Sequence, residues 1–186
     1  AKLGQGAGIA SGADGSGMAM RIAIYDFDRT LTRKPTFTPF LHFAAWRIAP
    51  WRIVFSPVWI VAMILYRIGL YNRTTLKTFG MRMMLGRPSM EQLADVGRDF
   101  ARHRIAHSGL VPGALRLLAE DRAANARILI ATAAFDFYAR AFAEELSIAE
   151  VIGTRWAGRT IPGGNCYGPV KKQRVLDWMA AEGIDR

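Results

Sequence analysis

Arg21-Ile22-Ala23-Ile24-Tyr25-Asp26-Phe27-Asp28-Arg29-Thr30-Leu31-Thr32 is the stretch on which the reading of the chain turns. Residues 22–25 are apolar on both faces and too few for a helix, which predicts a buried strand. The strand runs into two carboxylates, Asp26 and Asp28. Taking an unpaired carboxylate out of water is costly, so a buried strand seldom ends on two of them. The carboxyl end of a parallel strand, however, is where open α/β sheets hold their ligands. For Asp-x-Asp alone, an Asx-type turn is the plain alternative, and the remainder of the chain has to decide.

Outward from this strand the pattern alternates. Residues 1–20 are rich in Gly, Ala and Ser without an apolar run, so they are not a secretory signal and are expected to lack structure. After the turn-rich 33–39 come segments of helical character at 40–48, 50–68, 74–85 and 89–107, with Ser89 as N-cap and Gln92 reaching back to it. Residues 112–124 predict an amphipathic helix, and 127–132 a second short buried strand. Thr132-Ala133-Ala134-Phe135 then leads into a helix over 136–146, a strand-to-helix turn that can seat an anion or serve as an ordinary cap. A third strand is expected at 150–156, a glycine-rich connection or small hairpin at 158–165, and a helix at 171–181. Lys171 and Lys172 stand at the start of that helix, the wrong end for its dipole, which suggests an anion nearby; two surface lysines are the plain alternative. The alternation implies an α/β domain with a parallel sheet, interrupted by a helical insertion.

The net charge of +10 belongs to one segment. Residues 29–90 contain no Asp or Glu, yet carry Arg29, Arg33, Lys34, Arg47, Arg52, Arg67, Arg73, Lys77, Arg82 and Arg87. Such a block predicts a polyanionic partner (phosphate, an anionic membrane or nucleic acid) or else a solvated basic face. The segment is apolar and helical without a nucleic-acid motif, which argues against nucleic acid. Residues 53–66 are uncharged, flanked by Arg52 and Arg67 and broken by Pro57, too short for the roughly 20 apolar residues of a bilayer span. The expectation is a buried helix pair, with an interfacial amphipathic segment as the competitor. The single cysteine, Cys166, excludes an intramolecular disulfide and fits a reducing compartment. His42, His103 and His107 lack companions at zinc spacing.

Asp26-Phe27-Asp28-Arg29-Thr30 resembles the first motif, Asp-x-Asp-x-Thr, of the haloacid dehalogenase-like phosphatases. With Thr132 after the second strand and Asn165-Cys166-Tyr167-Gly168-Pro169-Val170-Lys171 before the last helix, the order resembles their phosphoserine-phosphatase-like subfamily IB, which carries a helical C1 cap. The resemblance implies a Rossmann-like parallel sheet formed by residues 21–34 and 109–186, with an all-helical cap at 35–108. It also implies that Asp26 attacks phosphorus, Asp28 serves as acid and base, Thr132 and the backbone of Ala133 hold phosphoryl oxygens, and Lys171 offsets their charge. Thr30, Arg29 and Arg33 would join the phosphate- or substrate-binding set, and Mg²⁺ would be held by Asp26 and by Asp28 through its backbone carbonyl.

The family pattern ends with a further strand bearing another acidic motif beside the central strand. Here the chain reaches Arg186 about where that strand should start, and Asp177 and Asp185 are poor substitutes. The expectation is a piece of a longer product, incomplete for catalysis, with the edge of the central strand left unpaired. In the phosphoserine enzymes an acid soon after the first motif meets the substrate's ammonium group. None occurs here before Glu91, which disfavours phosphoserine. An anionic organic phosphate is favoured instead, for example a phospholipid head-group phosphate such as phosphatidylglycerophosphate, on a cytoplasmic protein able to work at the inner face of the membrane. A catalytically inactive polyanion- or membrane-binding module on the same scaffold is the rival reading.

Overall fold

The computed structural model describes residues 8–13, 19–107 and 109–184. In chain order the elements are β1 (Gly8–Ala13), β2 (Ala19–Tyr25), α1 (Phe37–Ile48), a 3₁₀ turn (Pro50–Phe55), α2 (Ser56–Arg67) and α3 (Arg73–Gly80). A π-helical turn (Met81–Leu85), α4 (Met90–Ala106), α5 (Pro112–Ala123), β3 (Arg127–Phe135), α6 (Asp136–Glu145), β4 (Glu150–Thr154) and α7 (Pro169–Ala181) follow.

Alternation along β2 explains the layering. Ile22 and Ile24 point to one face and pack with Val175, Trp178 and Met179 of α7. Ala23 and Tyr25 point to the other and join the large cluster that contains Phe27, Phe135, Tyr138 and Phe142. A strand covered on both sides must be apolar throughout, as this one is. β2 pairs in parallel with β3 (Tyr25 opposite Ile130), and β3 in parallel with β4 (Ala131 opposite Ile152). The fold is thus the expected α/β class: a parallel core sheet with helices on both faces.

The sheet departs from expectation at its other edge. The leader supplies β1 over Gly8–Ala13, antiparallel to β2 with Gly8 opposite Ile24 and Ala13 opposite Ala19. Residues 1–7 and 14–18 lie outside the described residues. The edge of β2 expected to stand open is therefore paired, which satisfies backbone groups that would otherwise form a template for association.

The helices from α1 to α4 share their apolar core with the sheet domain. Phe40 of α1, Phe100 of α4, and Tyr138 and Phe142 of α6 form one cluster, with Phe40 stacked on Tyr138 at 4.7 Å between centroids. Gly97 lets α4 approach α6 closely, since a Cβ there would sit 3.2 Å from the Cα of Tyr138. α4 begins on the capping box read from the sequence: Ser89 accepts from the Gln92 N–H, and the Gln92 side chain accepts from the Ser89 N–H. The expected single helix over 74–85 instead passes into a π-helical turn at Met81–Leu85.

Two further expectations are corrected. Residues 53–66 do not form a buried helix pair. Within α2 only Trp59 and Ala62 are buried, while Val58, Ile60, Val61 and Ile64 face outward. Trp59 anchors the helix against Gly80, where an added Cβ would come within 2.7 Å of its ring. The 158–165 connection is a loop rather than a hairpin. Arg174 of α7 gathers it by donating to the carbonyls of Gly153 (2.8 Å), Gly163 (3.1 Å) and Gly164 (3.2 Å). No helix of the described residues is long and apolar enough to cross a membrane.

Candidate active site

β2 ends at Tyr25, so Asp26 leaves the sheet at its carboxyl end, beside the end of β3. The chain then winds tightly: the N–H groups of Leu31 and Thr32 both donate to the Phe27 carbonyl at 3.0 Å, and Arg29 takes a left-handed backbone (φ 65°) to make the turn. This loop keeps the two aspartates on different footings.

The Asp26 carboxylate is about half exposed, at 49 %. One oxygen, Oδ1, accepts from the Phe27 N–H at 2.8 Å and lies 3.1 Å from Lys171 Nζ. Lys171 sits in the first turn of α7, so the anion that its unfavourable position called for includes Asp26 itself. Asp28 is more enclosed. Its Oδ1 accepts from both the N–H (2.9 Å) and the hydroxyl (2.8 Å) of Thr36, a fully buried residue ahead of α1. The Tyr138 hydroxyl lies 3.3 Å from the Thr36 hydroxyl and closes this pocket from α6. Burial raises the Asp28 pKa above the usual carboxylate value, opposed by the Thr36 hydrogen bonds and by Lys77, and reinforced by the charge of Asp26.

The end of β3 is irregular. Ala131 pairs with Ile152 but Phe135 with Thr154, so the strand bulges between them, and the Ala133 carbonyl is turned toward Thr154 and Lys77. Thr132 is fully buried, and its hydroxyl oxygen accepts from the Ala134 N–H at 2.9 Å. The Ala133 carbonyl accepts from the Thr154 hydroxyl at 2.7 Å and from Lys77 Nζ. Asn165 Oδ1 receives the same ammonium at 2.8 Å, while its Nδ2 is buried without an acceptor among the protein atoms. Asn165 is further tied through its N–H to the Thr74 hydroxyl at 3.3 Å. α3 is thereby stitched to the sheet beside the aspartates.

Lys77 escaped the sequence reading. It is 5 % exposed, flanked by the rings of Phe135 and Phe37 at 5.1 and 5.4 Å, and burial lowers its pKa to about 7, countered chiefly by Asp28. The available signal was periodicity: Lys77 falls on the stripe of Gly80, Met81 and Met84, where a buried helical face calls for an apolar residue. Thr36, Thr154 and Tyr138 carried no comparable signal.

Among the remaining candidates the structure divides roles. Arg33 is engaged away from Asp26, donating from Nε to the Leu110 carbonyl at 3.0 Å and from its N–H to Gly109 at 2.9 Å. It ties together the two crossings between the sheet and the helical segment. Arg29 is exposed on the turn, and Thr30 is half-buried with its N–H 3.4 Å from the Phe27 carbonyl. A cleft of about 510 Å³ between α6, β4 and α7 is lined by Asp136, Arg140, Arg155, Arg174 and Trp178 and lies apart from these residues.

The chain and its fold have counterparts among known proteins. Protein CicA of Caulobacter vibrioides is 32 % identical over 163 residues, which span 84 % of this chain and 71 % of that protein. A protein of unknown function from Bordetella pertussis Tohama I superposes with a TM-score of 0.72 at 21 % identity, over 87 % of this chain and 74 % of that one. A phospho-aspartyl intermediate analogue of phosphoserine phosphatase superposes at 0.54 with 15 % identity, over 87 % and 72 %. At these identities the two structures speak for the fold alone. A description of haloacid dehalogenase-like hydrolases matches residues 23–186, from the strand before Asp26 through α7, and to that family this chain belongs.

Proposed function

We propose that this hydrolase cleaves phosphate monoesters through an aspartyl-phosphate on Asp26, and that it is of the phosphoserine-phosphatase-like kind with a helical cap over 35–108. The observation that carries the reading is the unequal pair: Asp26 half-exposed against Lys171, and Asp28 enclosed and held toward its protonated form. Phosphate monoesters repel nucleophiles, so catalysis requires positioning and charge neutralisation. An Asp26 oxygen forms a bond to phosphorus as the ester oxygen departs, and Asp28 gives that oxygen its proton. Asp28, now ionised, takes a proton from water, whose oxygen attacks the phosphorus and releases Asp26 as a carboxylate and the product as inorganic phosphate. Thr36 holds Asp28 in place for both transfers. Lys171 lies where it can offset phosphoryl charge. Thr132, with the Ala133 backbone, is assigned the phosphoryl oxygens because it lies in the carboxyl-terminal part of β3, beside the end of β2.

Magnesium suits the donor set. Among the described residues the second oxygen of Asp26 accepts no hydrogen bond, which leaves it for a cation that keeps several of its waters, with the Asp28 backbone carbonyl rather than its proton-carrying carboxyl as the other hard oxygen. Asp26 and Asp28 would hold it, and it would neutralise charge on the phosphate. Residues 29–90 offer a substrate cations and aromatics but no acid, which favours an anionic phosphate over one bearing a free amine; a phospholipid head-group phosphate meets that description.

Asp26→Asn is the deciding variant. Phosphate release from a panel of monoesters by the full-length protein should fall by about 10³-fold or more, in keeping with loss of a covalent nucleophile. Retained turnover in this variant overturns the reading. A binding module without turnover is the second reading, favoured by the arginine pocket described below. It is supported if wild-type protein releases no phosphate from any ester yet binds anionic ligands.

A further inference from the structure

The outer face of α2 inverts the usual rule for a surface helix. Val54, Val58, Val61, Ile64 and Ile68 recur at three- and four-residue intervals, which places them on one side of the 3₁₀ turn and α2. That side faces outward, with exposure from 47 % at Val58 to 70 % at Val54. Trp46 and Trp51 stand exposed nearby in sequence, at the end of α1 and in the 3₁₀ turn. A contiguous apolar surface of this kind marks an interaction site.

The chemistry beside it is equally one-sided. A pocket of about 410 Å³ is lined by Arg52, Arg82, Gly86, Arg87 and Arg159, four guanidinium groups without a carboxylate. Arg52 belongs to the same turn as Trp51 and Val54 and lies over the Trp51 ring at 4.5 Å. Its Nη1 donates to the carbonyls of Met83 (2.7 Å) and Arg82 (3.4 Å), which fixes the guanidinium in place. Gly86 is required there: its φ is +76°, and any Cβ would meet the Arg52 guanidinium at 3.1 Å. Arg82 and Arg87 come from the segment after α3, Arg159 from the loop after β4. Four cations from three parts of the chain converge on a space suited to phosphate oxygens.

We propose that this surface docks on an anionic phospholipid bilayer, the Val54–Ile68 ridge entering the acyl boundary and the arginine pocket taking head-group phosphates. Charge selects this occupant over a second copy of the chain. An isologous dimer would set the ridge against itself and bring together two segments in which residues 29–90 carry ten cations and no acid. A leaflet rich in anionic lipid is complementary to that charge, tryptophans favour its interface, and α2, at 12 residues, is of a length to lie in it rather than cross it. The inference goes beyond the phosphatase reading and does not require turnover.

The test is sedimentation of the full-length protein with vesicles of phosphatidylcholine, with and without phosphatidylglycerol, followed also by tryptophan emission. Binding to the anionic vesicles should exceed binding to the neutral ones by about tenfold or more and weaken with salt. The double variant Val61→Glu/Ile64→Glu should lose that binding, and so should Arg82→Glu/Arg87→Glu, with cleavage of a soluble monoester unchanged in the first. Asp26→Asn should bind vesicles as the wild type does, so a failed phosphatase and a failed membrane site give different results. The proposal is overturned by equal binding to both vesicles, by no binding, by binding that survives Val61→Glu/Ile64→Glu, or by a solution dimer which that variant dissociates.

Discussion

The joint between the helical segment and the sheet takes polar groups out of water; the outer face of that same segment leaves apolar groups in it. At the joint, Lys77, Asn165 and Thr154 are buried together around the Ala133 carbonyl, and Thr36 is buried against Asp28. On the outer face, Val54 and Ile64 stand in solvent. A domain optimised for stability alone would exchange these placements, because buried polar groups need partners and exposed apolar ones forgo the hydrophobic gain. Departures of both kinds mark where function is expected, and each can be probed separately.

The largest effect lies at the joint. Asp28→Asn keeps an oxygen to accept from Thr36 but cannot transfer a proton, so turnover should fall by about 10²- to 10⁴-fold. Because burial already disfavours the charged form of Asp28, the folded state should not suffer, and thermal unfolding should occur at an equal or higher temperature. In the wild type, the acid step requires protonated Asp28 and should weaken as pH rises through its raised pKa. Loss of activity accompanied by a lower melting temperature would assign Asp28 to structure and break the contrast.

Lys77 gives the next effect. Its pKa is about 7 in the folded protein and near the ordinary lysine value of 10.5 when unfolded. Between those values the unfolded chain binds the extra proton, so this group makes stability rise with pH from about 7 to 10.5 and is most destabilising below pH 7. Lys77→Met should remove that rise, worth on the order of a few kcal/mol, as measured by denaturant unfolding across the window. The acceptors left behind still have Thr154, whose hydroxyl lies 2.7 Å from the Ala133 carbonyl and 3.1 Å from Asn165 Oδ1. An unchanged slope would mean that Lys77 titrates as an exposed amine does.

Sequence patterns reported one half of this comparison well. The alternation along β2, the capping box at Ser89 and the pairing of parallel strands follow from local periodicity and hydrogen-bonding chemistry, and all were legible. So was the presence of an anion beside Lys171, through the misplaced charge at a helix start, though not that Asp26 would be that anion. The bulge that aims the Ala133 carbonyl at Thr154 and Lys77 depends on how β4 pairs with β3, and the Thr36 pocket on where α6 brings Tyr138, so neither has a local signature. Residues 53–66 misled for a related reason: hydrophobicity says that a face avoids water but not what covers it. The leader strand β1 is held by the free edge of β2 rather than by its own small residues, so its composition could not announce it.

The smallest effect separates the two regions most cleanly. Ile64 lies in α2 yet is 53 % exposed, so Ile64→Ser removes little area from contact and should change unfolding stability by no more than about 0.5 kcal/mol. Serine's weaker helix propensity accounts for a few tenths of that at most. If Ile64 were a core position, the lost methylenes and the buried hydroxyl would together cost about 2–5 kcal/mol. Denaturant midpoints for this variant therefore report directly whether the face is covered. A near-silent result leaves the ridge free for a surface outside the chain, whereas a large loss would place it inside a core and remove the apolar half of the contrast.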